Sequence, residues 1–155
     1  MLSQPLCLAL AGCAGPVGTV RVDPTDVLRD VGRSVITTDE PNWPTRNVLL
    51  EFNLFTAFDE RPEVALADLH RAMVAAGRDR AILFAFAELS FLHARATSKP
   101  DYHLAAVVYA YALLFPEGAG SAPGRFDPRL RIAADLYNWA LGAVVRRLAG
   151  RARAT

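Results

Sequence analysis

Little in this 155-residue chain speaks for chemistry. Cysteine is limited to Cys7 and Cys13, both at the N-terminal end. No disulfide framework can therefore hold the remainder together. The three histidines, His70, His93 and His103, match neither H-E-x-x-H nor any comparable metal-ligand spacing. Lysine occurs once, at Lys99, and the formal net charge is +1. A balance so close to neutral gives no global field for nucleic acid or an anionic surface. Ile and Thr are scarce, which argues against strands. The longest uncharged helical run, Leu104 to Phe115, is too short to cross a bilayer.

What is abundant is alanine, 27 residues in all, within a chain that is 52% hydrophobic and 21% charged. Summed over the chain, helix propensity favours an all-α fold. The length suits one domain with a single core. Punctuation divides it into about six helices. Asp23-Pro24-Thr25 opens the first, which ends near Ser34 to Thr37, and the Pro-containing stretch TTDEPNWP reads as a loop. Thr45 is the expected cap of a second helix over Arg46 to Phe52, with Asn53 as its stop. Pro62 starts a third, which Gly77 ends after Ala76. Trp43, beside the second helix, is read as an aromatic that packs the loop onto the core; the other reading is a ligand-stacking residue.

Asp79 to Phe115 is the apolar centre. Between Ala81 and Ala94 the polar residues are Glu88, Ser90 and His93, the pattern of a helix buried nearly all round. Thr97-Ser98-Lys99-Pro100 breaks it, Asp101 is the expected cap of the fifth helix, and the uncharged run to Phe115 predicts a second core helix. After a loop from Glu117 to Arg125, Phe126-Asp127-Pro128 opens the sixth helix, which fades into a basic end. Short connections predict antiparallel hairpins. FAFAELSFLHA, LAAVVYAYALLF and IAADLYNWALGA echo one another, so the arrangement is tetratricopeptide-like or an irregular helical bundle. The resulting division is an N-terminal segment at 1–19, one helical domain at 20–149 and a disordered basic tail at 150–155.

Candidates for catalysis are thin. Glu88, His93 and His103 lie on adjoining helices, where an acid–base or metal cluster is one reading. The other reading is a buried carboxylate satisfied by Tyr, Arg or His neighbours. The loop Gly118 to Gly124 lacks both the G-x-S-x-G elbow and the Gly-Lys-Ser/Thr of a phosphate loop. Catalytic, metal and cofactor-binding residues are therefore not assigned. The arginines Arg125, Arg129, Arg131, Arg146, Arg147, Arg151 and Arg153 read as a solvated helix end, not as a nucleic-acid surface, because no aromatic platform accompanies them.

Two resemblances add to this. Leu10-Ala11-Gly12-Cys13 resembles a bacterial lipobox, which implies cleavage before Cys13 and lipid attachment to its thiol. Ala14 in the following position resembles lipoproteins sorted to the outer membrane, facing the periplasm. The alternative is an N-terminal helix or irregular segment with an incidental Cys. Further along, LAGCAGPVG–RVDP, FDERPEVALADLH, FAFAELSFLHA, YHLAAVVYAYALLFP and FDPRLRIAADLYN together resemble the N-terminal helical region of lipid-anchored α/β-hydrolase-family lipoproteins. That resemblance implies a non-catalytic accessory or scaffold domain in the cell envelope, with a hydrolase domain as its partner. The alternative is a stand-alone repeat-like lipoprotein that binds another envelope protein.

Overall fold

The computed structural model describes residues 23–25, 35–76, 79–116, 124 and 126–154. Among them the fold is all-α, with six helices packed together and no strand. They are α1 (Trp43–Glu51), α2 (Phe55–Glu60), α3 (Pro62–Ala76), α4 (Arg80–Thr97), α5 (Pro100–Leu114) and α6 (Pro128–Ala154). Cys13, the expected lipid attachment point, and most of the helix expected after Asp23 lie outside the described residues.

α4 is the axle. Asp79 caps it, its carboxylate accepting from the N–H groups of Ala81 (2.7 Å) and Ile82 (3.3 Å). Two of the orphan donors of the first turn are thereby satisfied. Every residue from Ile82 to Ala94 is buried, and α1, α3, α5 and α6 all pack on this helix. It stops where Ser98 takes a left-handed conformation, φ 57°.

α5 returns alongside α4. His93 meets Tyr102, Phe91 meets His103 and Phe86 meets Tyr109. As the α4 partner steps back, the α5 partner steps forward, so the pair is antiparallel. α6 reverses again: Tyr111 faces Tyr137, and the start of α5 shares a cavity with Arg146. Asp127 precedes α6, and its carboxylate accepts the Arg129 N–H at 3.0 Å and pairs with its guanidinium. At about 1.5 Å per residue it is roughly 40 Å long, far longer than α5.

Four sequence expectations change. Thr45 is not a cap; α1 starts at Trp43, three residues before the expected Arg46, with Asn42 as N-cap and Pro44 in the first turn, a position that needs no N–H. Lys99, not Asp101, precedes α5. α6 continues through Ala154 where a disordered tail was expected from residue 150, because nothing before Ala154 forbids helical geometry. Trp43 is 72% exposed and does not pack the loop onto the core.

α5 is also not buried all round. Only Ala106, Ala110 and Leu113 are fully enclosed, since α4 and α6 cover one side of it. Leu104, Val108, Tyr111 and Phe115 each remain more than half exposed. The small buried residues let α5 approach its neighbours closely, while the larger ones are left outside.

Candidate functional site

The most perturbed group is Glu88, at the middle of α4 and fully enclosed. Its Oε2 accepts the backbone N–H of Asn42 at 3.0 Å, so a carboxylate on α4 receives the N-cap of α1 from 46 residues away. Burial pushes its pKa up from 4.5 to about 7. The Thr45 hydroxyl and the Asn42 N–H pull in the other direction and do not cancel the burial. Although Thr45 exerts that pull, Glu88 Oε1, Thr45 Oγ1 and Asn42 Nδ2 are buried without a well-aligned hydrogen bond among the described residues. A protonated Glu88 can donate from Oε1 to Thr45 Oγ1, which provides for two of the three. An ionised Glu88 can equally accept from the Thr45 hydroxyl, so it is burial, and not this contact, that favours the neutral acid. Its partners are a backbone N–H and a threonine instead of the Tyr, Arg or His expected from sequence.

Glu88, His93 and His103 point to three different neighbours. The His93 ring stands edge-on to Tyr102, with centroids 4.4 Å apart, and its Nε2 lies 3.3 Å from Glu63 Oε1 on α3. Glu63 also pairs with Lys99 in the α4–α5 link, and that pairing, ahead of the His93 contact, holds its carboxyl below the usual range. His103 instead lies edge-on to Phe91 on the side that faces α6. Among the described residues no group of three His, Cys, Asp or Glu side chains forms a metal-binding set.

Two features escape sequence reasoning. His70, Phe86 and Tyr109 form an aromatic cluster joining α3, α4 and α5, with Tyr109 Oη 2.9 Å from His70 Nδ1. Each residue alone is an unremarkable helix position, so only their convergence reveals the cluster. Arg95, near the end of α4, donates to the Val35 carbonyl at 3.1 Å and pairs with Asp39 at 2.9 Å, which fastens residues 35–40 to the core helix. A lone Arg beside an apolar run gives no hint of a partner 60 residues away.

The larger cavity, about 590 Å³, opens between residues 39–62 and the end of α4. Asp39, Glu40 and Asp59 face Arg46 and Arg95 across it, and Arg46 lies over the Phe55 ring at 5.6 Å. Three carboxylates against two guanidinium groups make its lining one of mixed sign. Glu88, sealed below, has no open route to a substrate in this conformation. Its geometry is that of a buried structural acid that positions α1.

Comparison of the chain with protein-family profiles, curated proteins and solved structures gives no match in any of the three.

Proposed function

We propose that the chain is a non-catalytic helical scaffold domain whose α5 face receives a hydrolase-type domain. Its resemblance to lipid-anchored α/β-hydrolase-family lipoproteins implies such a partner domain, and the choice of the α5 face is added from its exposure. The observation that supports the reading is the second apolar face of α5. Leu104, Val108, Tyr111 and Phe115 recur at intervals of four, three and four residues, so they form one stripe along the helix. Burying a large apolar side chain yields about 1.5–3 kcal/mol, so covering four half-exposed ones is worth roughly 3–6 kcal/mol before ordering costs. Tyr111 meets Tyr137 of α6, yet among the described residues all four side chains stay more than half exposed, so this core does not use up the stripe.

In the same proposal Cys13 carries lipid and holds the domain at the outer membrane, facing the periplasm. No described helix is long and apolar enough to cross a membrane, and in this reading the lipid supplies the attachment. Catalysis then belongs to the partner domain, since this sequence carries no G-x-S-x-G elbow.

A photo-crosslinking residue placed at Tyr111 in the native envelope tests the reading. A crosslink to a polypeptide segment that contains a G-x-S-x-G elbow, whether in the same reading frame beyond Thr155 or in another gene product, supports it. A crosslink to some other envelope protein transfers support to the stand-alone lipoprotein. Absence of any crosslink from Tyr111 removes the stripe as a docking face.

A further inference from the structure

A second cavity, of about 290 Å³, lies where the end of α4, the first turn of α5 and the C-terminal half of α6 meet. Its charged lining has one sign. Arg95, Arg146 and Arg147 face it, together with Ser98 and His103, and among the described residues no carboxylate does. Arg95 is already engaged with Asp39 and the Val35 carbonyl. Arg146 and Arg147 make no hydrogen bond or ion pair to any described residue. The Arg146 side chain folds back along α6: a Cβ added at Gly142 would lie 3.2 Å from its Nη1. The missing side chain at residue 142 is what lets the guanidinium rest there.

The imidazole beside it is equally unfinished. His103 Nδ1 is buried and has no partner among the described residues. Burial, and then the charge of Arg146, hold its pKa below the usual 6.5, so the ring is neutral near pH 7 and keeps an N–H to donate. Among the described residues, two unpaired guanidinium groups, a serine hydroxyl and an imidazole thus line one cavity with no anion among them. Guanidinium forks match the oxygens of phosphate in bidentate geometry, and a tetrahedral anion accepts donors from several directions at once.

We infer that this cavity is a binding site for a phosphate group, held by Arg146 and Arg147 with Ser98 and His103 completing its shell. The site is independent of the α5 stripe and of the scaffold reading. The phosphate arrives either as a soluble anion or as a phosphate-monoester lipid headgroup, and the same chemistry serves both.

The test uses the full chain at low ionic strength. Inorganic phosphate is titrated by calorimetry and by NMR of the His103 ring. In parallel, phosphatidylcholine vesicles are compared with vesicles that also contain phosphatidic acid. One-to-one saturable binding with a shift of the His103 signals is expected in at least one arm, and the arm that responds identifies the source. The double variant Arg146→Gln, Arg147→Gln should weaken binding at least tenfold. Arg151→Gln with Arg153→Gln removes the same charge from the same helix outside the cavity and should change binding less than twofold. Both pairs are exposed, so the fold is retained, as an unchanged urea midpoint would verify. No saturable response in either arm overturns the inference. So does an equal loss from the two double variants, which would reduce the effect to the general charge of α6.

Discussion

Replacing Glu88 with Gln should make the protein more stable at alkaline pH and leave it nearly unchanged in acid. Glu88 is raised from 4.5 to about 7 chiefly by burial. Below pH 4.5 the carboxyl is protonated in both the folded and unfolded chain. Between 4.5 and about 7 the unfolded chain releases its proton while the folded chain keeps it, so stability falls as pH rises. Above about 7 both states are ionised and the folded state bears the full cost of an enclosed charge. At about 1.4 kcal/mol per pH decade, the loss across the window is about 3 kcal/mol. Glutamine has the shape of the neutral acid; its carbonyl can accept the Asn42 N–H and its amide can donate to Thr45. Urea unfolding followed by circular dichroism, at half-unit steps from pH 4.5 to 8.5, gives the difference between Glu88→Gln and the native chain at each pH. That subtraction removes the contribution of other titrating groups that do not couple to residue 88. The expected difference is within about 1 kcal/mol at pH 5 and grows to about 3 kcal/mol in favour of Glu88→Gln at pH 8. A difference that stays flat across the range would show that Glu88 titrates like a solvated carboxyl, and the account of the α1–α4 junction would fall.

Phe84→Ala, in the fully buried middle of α4, should cost about 3–5 kcal/mol in urea unfolding, whereas Val108→Ala on the exposed α5 stripe should stay within about 1 kcal/mol. Comparable losses at the two positions would mean that the α5 stripe is covered within the domain. Asp79→Ala should lower stability by about 1 kcal/mol through loss of the α4 cap, and Asp79→Asn should restore most of it, because the amide oxygen can accept the same N–H groups. Gly150→Ala should raise the helical dichroism of α6 without a matching rise in the urea midpoint. A Cβ there meets nothing within 4 Å, and the surrounding turn packs against little. In cells grown with labelled palmitate, Cys13→Ala should abolish incorporation; persistent labelling would remove the lipid from the proposed function.

Much of the helical layout is legible in the sequence because its signals are local. Asp79, Asn53, Pro62 and Pro128 act through their own backbone geometry or that of the next few residues. The helix ends they mark stand where such residues allow or forbid a turn. Thr45 shows where local reading goes wrong. A threonine next to a helix start looks like a cap, yet its hydroxyl faces a carboxylate that the sequence places 43 positions later. Trp43 fails for a similar reason, since a large aromatic beside a helix carries no information on whether that side of the helix meets the core.

By composition and spacing alone, the chain determined its class, its two most apolar helices and their antiparallel order. Propensity and the two-residue link between α4 and α5 leave few other outcomes. Tertiary structure alone decided which apolar faces are covered. Both α4 and α5 are apolar enough to be central, but among the described residues only α4 has neighbours on all sides, so α5 carries several of its larger side chains outward. Tertiary structure likewise sent Glu88, His93 and His103 to α1, α3 and α6 respectively, and it brought Arg146 and Arg147 to the edge of His103. Burial and charge proximity depend on which helices meet, and periodicity within one helix does not say which they will be.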